Sequence, residues 1–119
     1  MAIFRQGDVI KVPFPYTDRS ARQYRPALVV STGGIEAAHG LLWVTMITSA
    51  ENRGWAGDLS VGSLALAGLP VPSVIRTAKL ATIEVGDATR LGRVSTSLLK
   101  RAIGRIAREL GVEASQDRG

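Results

Sequence analysis

The alternation of apolar and polar residues predicts that most of this chain forms short β-strands. Residues 7–14 alternate with a period of two, which is typical of a strand, and Pro13 fits the end of that strand. Residues 25–32 predict a second strand. The long apolar run at 41–49 predicts a third strand, which we expect to be central.

The second half of the chain carries weaker strand patterns. Residues 59–61 fit a short strand, and residues 73–84 fit one or two strands. Between the strands, segments that are polar or rich in glycine and proline are predicted to be connections without regular structure. These connections are 15–24, 33–40, 50–58 and 62–72.

A single amphipathic helix is predicted near the C-terminus. Apolar residues recur there at i, i+3 and i+4 spacing. They are Leu98, Leu99, Ala102, Ile103, Ile106, Ala107 and Leu110. Ser95 or Ser97 can cap the start, and Gly111 follows the end. Five to seven short strands with one closing helix indicate a mainly β protein, a small and strongly bent antiparallel barrel.

Length and composition bound the organisation of the chain. With 119 residues, 45% of them hydrophobic, the sequence predicts one domain over 1–111 and a disordered tail over 112–119. The N-terminal residues lack the apolar region of a signal peptide, and no apolar run reaches the length of a membrane span. We therefore expect a cytoplasmic protein.

Charge and residue inventory narrow the possible chemistry. The net charge of +5 points toward an anionic partner, but about half of the excess lies on the helix, where it fits a solvated face. The chain has no cysteine and one histidine, so thiolate sites and histidine-based zinc clusters are excluded. We predict no metal and no cofactor. Lone His39 is interpreted as a surface residue.

Arg25 stands at the head of the second strand. The following Pro26 biases it toward an extended backbone, which aims the guanidinium, and the planar fork suits a phosphate. The alternative is a charged strand end paired with Asp8 or Asp18. Thr48 and its neighbour Ser49 end the third strand, where hydroxyls can donate to a phosphate oxygen or simply terminate a strand.

Two loops carry candidate RNA-binding side chains. The first combines charges with an aromatic ring, a composition used to bind single-stranded RNA, although a solvated loop explains it equally well. Its candidates are Asp18, Arg19, Arg22 and Tyr24. The second loop contains Asn52, Arg53 and Trp55. That tryptophan can stack on a base, pack at a subunit interface or fold back onto the core.

Several segments, taken in order, resemble the MazF/PemK family of bacterial toxin endoribonucleases. "GDVIKVPFPYTD" resembles the opening strand and loop of that family, and "RPALVVS" its Arg-Pro strand. "MITSA" resembles the threonine-bearing third strand. "AGLPVPSVIR" followed by "KLATI" resembles the later Pro-Ser and Arg region. The resemblance covers roughly residues 4–110.

The resemblance implies an SH3-like β-barrel with a C-terminal helix, assembled as a homodimer. It implies an mRNA interferase that cleaves single-stranded RNA at short sequences without metal, through attack by the 2′-hydroxyl. The products are a 2′,3′-cyclic phosphate and a 5′-hydroxyl. Arg25 and Thr48 match the catalytic residues of the family, and the loops Asp18–Tyr24 and Glu51–Asp58 match its RNA-gripping loops. An acidic antitoxin is the implied partner.

The sequence departs from the family at one place. Many members carry a Gln-containing "QIRT"-like segment, whereas "VIRTAKL" here leaves Arg76 or Lys79 to contact RNA. The RNA sequence preference and the general base stay unassigned. Because the same fold also serves gyrase-poisoning toxins, a non-enzymatic toxin or an inactive RNA-binding relative is the alternative. Trp55 and the apolar stretch "LALAGLPVP" are predicted at the dimer interface.

Overall fold

A computed structural model describes residues 2–13 and 24–112, which form six strands and three α-helices. The strands are β1 (Asp8–Pro13), β2 (Tyr24–Val29), β3 (Leu41–Ser49), β4 (Asp58–Ser60), β5 (Ser73–Glu84) and β6 (Thr89–Arg93). The helices are α1 (Gly33–His39), α2 (Leu64–Ala67) and α3 (Thr96–Glu109). Short 3-10 turns cover Ala50–Asn52 and Val85–Asp87.

The strands form one antiparallel sheet in the order β4-β5-β3-β2-β1-β6. The fold class predicted from the sequence, mainly β with a C-terminal helix, is confirmed. Among the described residues the sheet does not close on itself, and it remains consistent with a barrel-like fold. β3 is central, as its continuous apolar sequence indicated, because it is third in this order and lies between β5 and β2.

The core consists of two apolar clusters that receive alternate residues of the same strands. Val9 belongs to the cluster that packs under α3 with Leu98, while the next residue, Ile10, belongs to the cluster that contains Phe4. Neighbouring residues on a strand point to opposite faces, so both faces of the central strands are covered. Burying one valine, isoleucine, leucine or phenylalanine side chain contributes about 1.5–3 kcal/mol to the free energy of folding.

A bulge in β5 shapes the end of the sheet that carries the candidate site. Thr45 stands opposite Leu80, whereas the next residue, Met46, stands opposite Arg76, so residues 77–79 have no counterpart on β3. The buried Thr45 hydroxyl donates to the Arg76 carbonyl at 2.6 Å and thereby holds the two sides of the bulge together. Residues 73–84 are therefore one strand with an interruption.

Helix α1 was not predicted, because residues 33–40 were interpreted as a connection. Its Glu36 carboxylate accepts the backbone N–H groups of Ile3 and Phe4, at 2.5 and 3.1 Å, and ties the N-terminal segment to the helix. Gly40, at φ +69°, ends α1 in the left-handed conformation that favours glycine. These long-range contacts leave no periodic signature in the sequence.

The segment 62–72 was predicted to be irregular, yet it contains α2. Ser63 caps this helix by accepting the Leu66 N–H at 3.2 Å. Gly68 follows at φ +72°, and a Cβ there would collide with the Leu91 carbonyl oxygen, because α2 presses against β6. The sequence of β6 itself lacks an apolar alternation, so that strand was also missed.

The C-terminal helix was predicted correctly. The Ser95 hydroxyl caps α3 by accepting the Leu98 N–H at 3.1 Å, and Gly111 follows its last turn at φ +78°. Its basic side chains are exposed, in agreement with a solvated face. Among the described residues, no helix is both long and apolar enough to cross a membrane. The predicted tail lies outside the described residues except for Val112.

Candidate active site

Arg25 and Thr48 stand at matching positions on neighbouring strands. The last registered pair between β2 and β3 joins Ala27 to Met46, and each candidate lies two residues further toward the same end of its strand. Residues two apart point to the same face, so both side chains share the face of that pair. Opposed residues of a regular ladder have Cβ atoms about 5 Å apart. Thr48 is buried and Arg25 half-buried.

One of the two ion pairs considered for Arg25 does not form. The Asp8 carboxylate binds the Arg90 guanidinium at 2.5 Å and accepts the Arg5 N–H at 2.9 Å. The other proposed partner, Asp18, lies outside the described residues, together with Arg19 and Arg22 of the same loop.

The loop after β3 is held by its own polar side chains. Ser49 accepts the Glu51 N–H at 3.2 Å and caps the 3-10 turn. Arg53 donates through Nη1 to the Ala50 carbonyl at 2.8 Å. Asn52 donates through Nδ2 to the Thr48 hydroxyl at 3.1 Å. This loop is therefore connected directly to one of the two candidate catalytic side chains.

Arg76 lies inside the protein, where it forms an ion pair with Asp58 across β4 and β5. Nη2 and Nε approach the two carboxylate oxygens at 2.9 and 3.2 Å, and Nη2 also donates to the Asn52 carbonyl at 2.6 Å. Only 7% of the Arg76 side chain and 8% of the Asp58 side chain are exposed. As placed, this guanidinium supports the loop from beneath.

The Arg76 guanidinium holds the pKa of Asp58 below its ordinary value. The hydrogen bonds from Arg76 are the largest cause, and its positive charge lowers the pKa further. Burial acts in the opposite direction, and the N–H groups of Trp55 and Gly54 assist the lowering. Asp58 is therefore ionised at neutral pH, and its negative charge faces the positive charge of the buried Arg76.

Trp55 packs on the same guanidinium and remains partly open to solvent. Its ring centroid lies 4.2 Å from the Arg76 guanidinium carbon and 5.4 Å from Lys79 Nζ, within cation–π range. The side chain is 47% exposed, and Tyr24 at the start of β2 is 53% exposed. The ring is thus fixed by the protein and still available to a planar ligand.

The structure brings together Thr48, Asn52, Trp55, Arg76 and Lys79, whereas His39 is remote. His39 adjoins the opposite end of β3 from Thr48, roughly 25–30 Å along the strand. Within the described part of the chain, no group of three or more acidic or histidine side chains is placed to hold a metal.

Asp58 is the member of this cluster that sequence reasoning did not single out. It was noticed only as the end of a loop, because nothing in the sequence joins it to an arginine 18 positions away. The β4–β5 register makes the two residues direct partners. A carboxylate at the start of a strand, followed by an arginine within an otherwise apolar strand, was the only available signal.

Comparison with known proteins identifies relatives over nearly the whole chain. Residues 5–111 match the family described as PemK-like, MazF-like toxin of type II toxin–antitoxin system. No curated protein matches the chain.

Solved structures share the fold at low sequence identity. The MazF structure from Deinococcus radiodurans (Form-I) is 19% identical, covers 94% of this chain and 100% of its own, and has a TM-score of 0.76. The Mycobacterium tuberculosis toxin MazF-mt6 is 20% identical over 89% of this chain and 98% of its own, with a TM-score of 0.69. A mycobacterial endoribonuclease in complex with its cognate antitoxin is 16% identical, covers 94% of this chain and 97% of its own, and has a TM-score of 0.69.

Proposed function

The chain belongs to the PemK-like, MazF-like family of type II toxin–antitoxin toxins, and from this premise we propose that it is an endoribonuclease that cleaves single-stranded RNA. Toxins of this family are endoribonucleases in general. The observation that carries the proposal is the placement of Arg25 and Thr48 on one face, at neighbouring strand ends. An arginine fork beside a hydroxyl can bind two oxygens of one phosphate group.

The proposed reaction needs no metal. The RNA 2′-oxygen attacks the adjacent phosphorus and forms a 2′,3′-cyclic phosphate, while the bond from phosphorus to the 5′-oxygen breaks. The 2′-hydroxyl loses its proton and the departing 5′-oxygen gains one. Arg25 stabilises the charge that develops on the non-bridging oxygens, and Thr48 donates to the same group. Arg25 is not assigned as the base, because an arginine guanidinium offers N–H donors and no acceptor.

The surrounding loops are proposed to hold the RNA so that the 2′-oxygen is in line with the departing oxygen. Tyr24 and Trp55 present exposed rings on which bases can stack. Ser49, Arg53 and Lys79 are proposed to provide polar and basic contacts to RNA. Asp18, Arg19 and Arg22 of the first loop are proposed as further RNA-binding residues. Arg76 contributes by supporting the Trp55 ring.

The test is cleavage of a long RNA of mixed sequence in EDTA, with the 5′ ends of the fragments mapped. Wild-type protein is expected to give discrete cuts whose new 5′-hydroxyl ends accept phosphate from a kinase directly. Arg25→Ala abolishes the cuts. Arg25→Lys keeps the charge but loses the fork, so its rate falls by about 100-fold or more.

Arg101→Ala, on the exposed face of α3, removes a matched charge and should leave the rate unchanged. A folded wild-type protein that leaves the RNA intact refutes the proposed activity. Toxicity without any new RNA ends would then favour a gyrase-poisoning toxin. RNA binding without toxicity would favour an inactive relative.

The proposed protein partner is an acidic antitoxin. Arg25, Arg53 and Lys79 give the proposed groove a positive charge that suits an acidic segment as well as RNA. The relative solved with its cognate antitoxin has the same fold. Cleavage of mRNA places the proposed activity in the cytoplasm, and residues 1–111 are proposed as one domain with 112–119 as a tail.

We propose that a second copy of the chain covers an apolar patch formed by Trp43, Leu80 and Leu110, which are 54%, 48% and 70% exposed. Trp43 and Leu80 are diagonal neighbours on the β3–β5 ladder. Leu80 and Leu110 line one groove. Such a patch on a homodimer interface is removed from water. Within the stretch "LALAGLPVP", which was also predicted at the interface, Ala67 and Leu69 pack in the core of their own chain, whereas Val71 is 46% exposed.

A further inference from the structure

The Thr48 hydroxyl has one proton to donate and two lone pairs that can accept. The side-chain amide of Asn52 donates to one of these lone pairs, with Nδ2 at 3.1 Å from Thr48 Oγ1. An accepted hydrogen bond on one side of the oxygen directs the hydroxyl proton away from the amide. Thr48 is only 7% exposed, so little water competes for this orientation.

Asn52 is itself fixed from beneath. Its backbone carbonyl accepts a hydrogen bond from Arg76 Nη2 at 2.6 Å, and that guanidinium is clamped by both oxygens of Asp58. The Trp55 ring covers the guanidinium at 4.2 Å. A continuous series of contacts therefore runs from a buried ion pair, through one loop residue, to the Thr48 hydroxyl.

We infer that Asn52 is a positioning residue that turns the Thr48 proton toward the scissile phosphate, and that the Asp58–Arg76 pair holds Asn52 in the required place. This inference rests on the proposed function and adds a residue to it. Asn52 acts through Thr48 and need not touch the RNA.

The physical benefit is preorganisation. A donor that already points at the phosphate does not have to be reoriented as negative charge develops in the transition state. Loss of Asn52 should therefore slow the chemical step more than it weakens RNA binding. A purely RNA-binding asparagine would show the reverse pattern, with a raised KM and an unchanged kcat.

The first experiment is a double-mutant cycle on Thr48 and Asn52, measured as single-turnover cleavage at saturating protein. Asn52→Ala is expected to be about tenfold slower, which corresponds to about 1.4 kcal/mol. Once Thr48→Val has removed the hydroxyl, adding Asn52→Ala should cause no further loss. Melting temperatures of all variants establish that they are folded.

Two further substitutions test the direction of the hydrogen bond. Asn52→Asp has nearly the same shape, but a carboxylate accepts the Thr48 proton instead of donating to its oxygen, so it should be slower than Asn52→Ala. Asn52→Gln restores a donor and should recover part of the rate. Equal rates for Asn52→Asp and Asn52→Gln would contradict the inferred role.

A second experiment detects the hydrogen bond without RNA. Asn52 is the only asparagine in the chain, so labelling with ¹⁵N-asparagine gives one pair of side-chain amide proton signals, which share one nitrogen. In Thr48→Val, the bonded amide proton is expected to shift and to exchange faster with water. Thr89→Val, an exposed threonine of β6, is the matched control and should leave the signal in place.

The outcomes separate the two proposals. Wild-type protein that leaves RNA intact overturns the proposed function and, with it, the positioning role of Asn52. Wild-type cleavage with multiplicative effects of the Thr48 and Asn52 variants overturns this inference alone. An Asn52 amide signal that is the same in wild type and Thr48→Val also overturns this inference, because the hydrogen bond would then be absent in solution.

Discussion

Asp58→Asn removes the negative charge that faces the buried Arg76 guanidinium and changes little else. Breaking a buried ion pair by removing one partner costs about 3–5 kcal/mol. Asparagine retains a carbonyl oxygen that can still accept one hydrogen bond, and the pair lies beneath a half-exposed tryptophan. We therefore expect a loss of about 2–3 kcal/mol in the free energy of unfolding at pH 7.

That loss corresponds to a large change in melting temperature. For a domain of this length, 1 kcal/mol shifts the melting temperature by about 4 °C, so the expected decrease is about 8–12 °C. The assay is urea and thermal unfolding followed by circular dichroism. Asp87→Asn, at an exposed aspartate, is the matched control and should stay within about 0.5 kcal/mol of wild type.

The pH dependence gives a second and independent readout. The pKa of Asp58 is lowered in the folded state, mainly by its hydrogen bonds to Arg76. Its stabilisation is therefore fully present above the unfolded-state pKa and is lost as the pH falls through the lower folded-state value. The stability difference between wild type and Asp58→Asn should be constant from about pH 5 to 8 and should shrink below about pH 4.

A double variant distinguishes the ion pair from general damage. Arg76→Met combined with Asp58→Leu leaves no unpaired buried charge, so it should be more stable than the sum of the two single losses predicts. Additive losses, or an Asp58→Asn variant as stable as wild type at pH 7, would refute this account of the pair.

Two further predictions concern packing and assembly. Gly68→Ala should destabilise the protein by about 2 kcal/mol or more in urea unfolding, because its φ is positive and its Cβ would meet the Leu91 carbonyl. Gly104→Ala, in open space on α3, should instead be neutral or stabilising by up to about 1 kcal/mol; equal effects at both glycines would contradict the reasoning. Leu80→Asp should convert the proposed dimer to a monomer by light scattering at micromolar concentration. Thr89→Asp, at an exposed position outside both the apolar patch and the stretch "LALAGLPVP", should not; a dimer that survives Leu80→Asp would exclude that face.

Candidate catalytic residues could be singled out from local sequence because their chemistry is local. Arg25 was noticed as a charge before a proline at the head of an apolar strand, and Thr48 as a hydroxyl at the end of another. Their common face could not be predicted without the β2–β3 register. Register depends on pairing between distant segments, which a single-sequence pattern does not specify.

The support of the site was beyond sequence reasoning. Arg76 was predicted to contact RNA, and the structure places it in a buried pair with Asp58 instead of in the open groove. The bulge at 77–79 and the β4–β5 ladder set this geometry. Asn52 was predicted to bind RNA from the second loop. Its hydrogen bond to Thr48 could not be predicted, because it depends on where the 3-10 turn folds.

The sequence by itself determined the elements with strong periodicity: the first three strands, the capped helix α3 and the mainly β class. It also determined the residue types available for phosphate chemistry. Only the tertiary structure decided that residues 33–39 and 64–67 are helical, that β6 joins β1, and that one ion pair supports the loop after β3. The reason is physical: periodicity reflects which side chains must be buried, whereas short helices, bulges and buried ion pairs are stabilised by contacts between segments far apart in the chain.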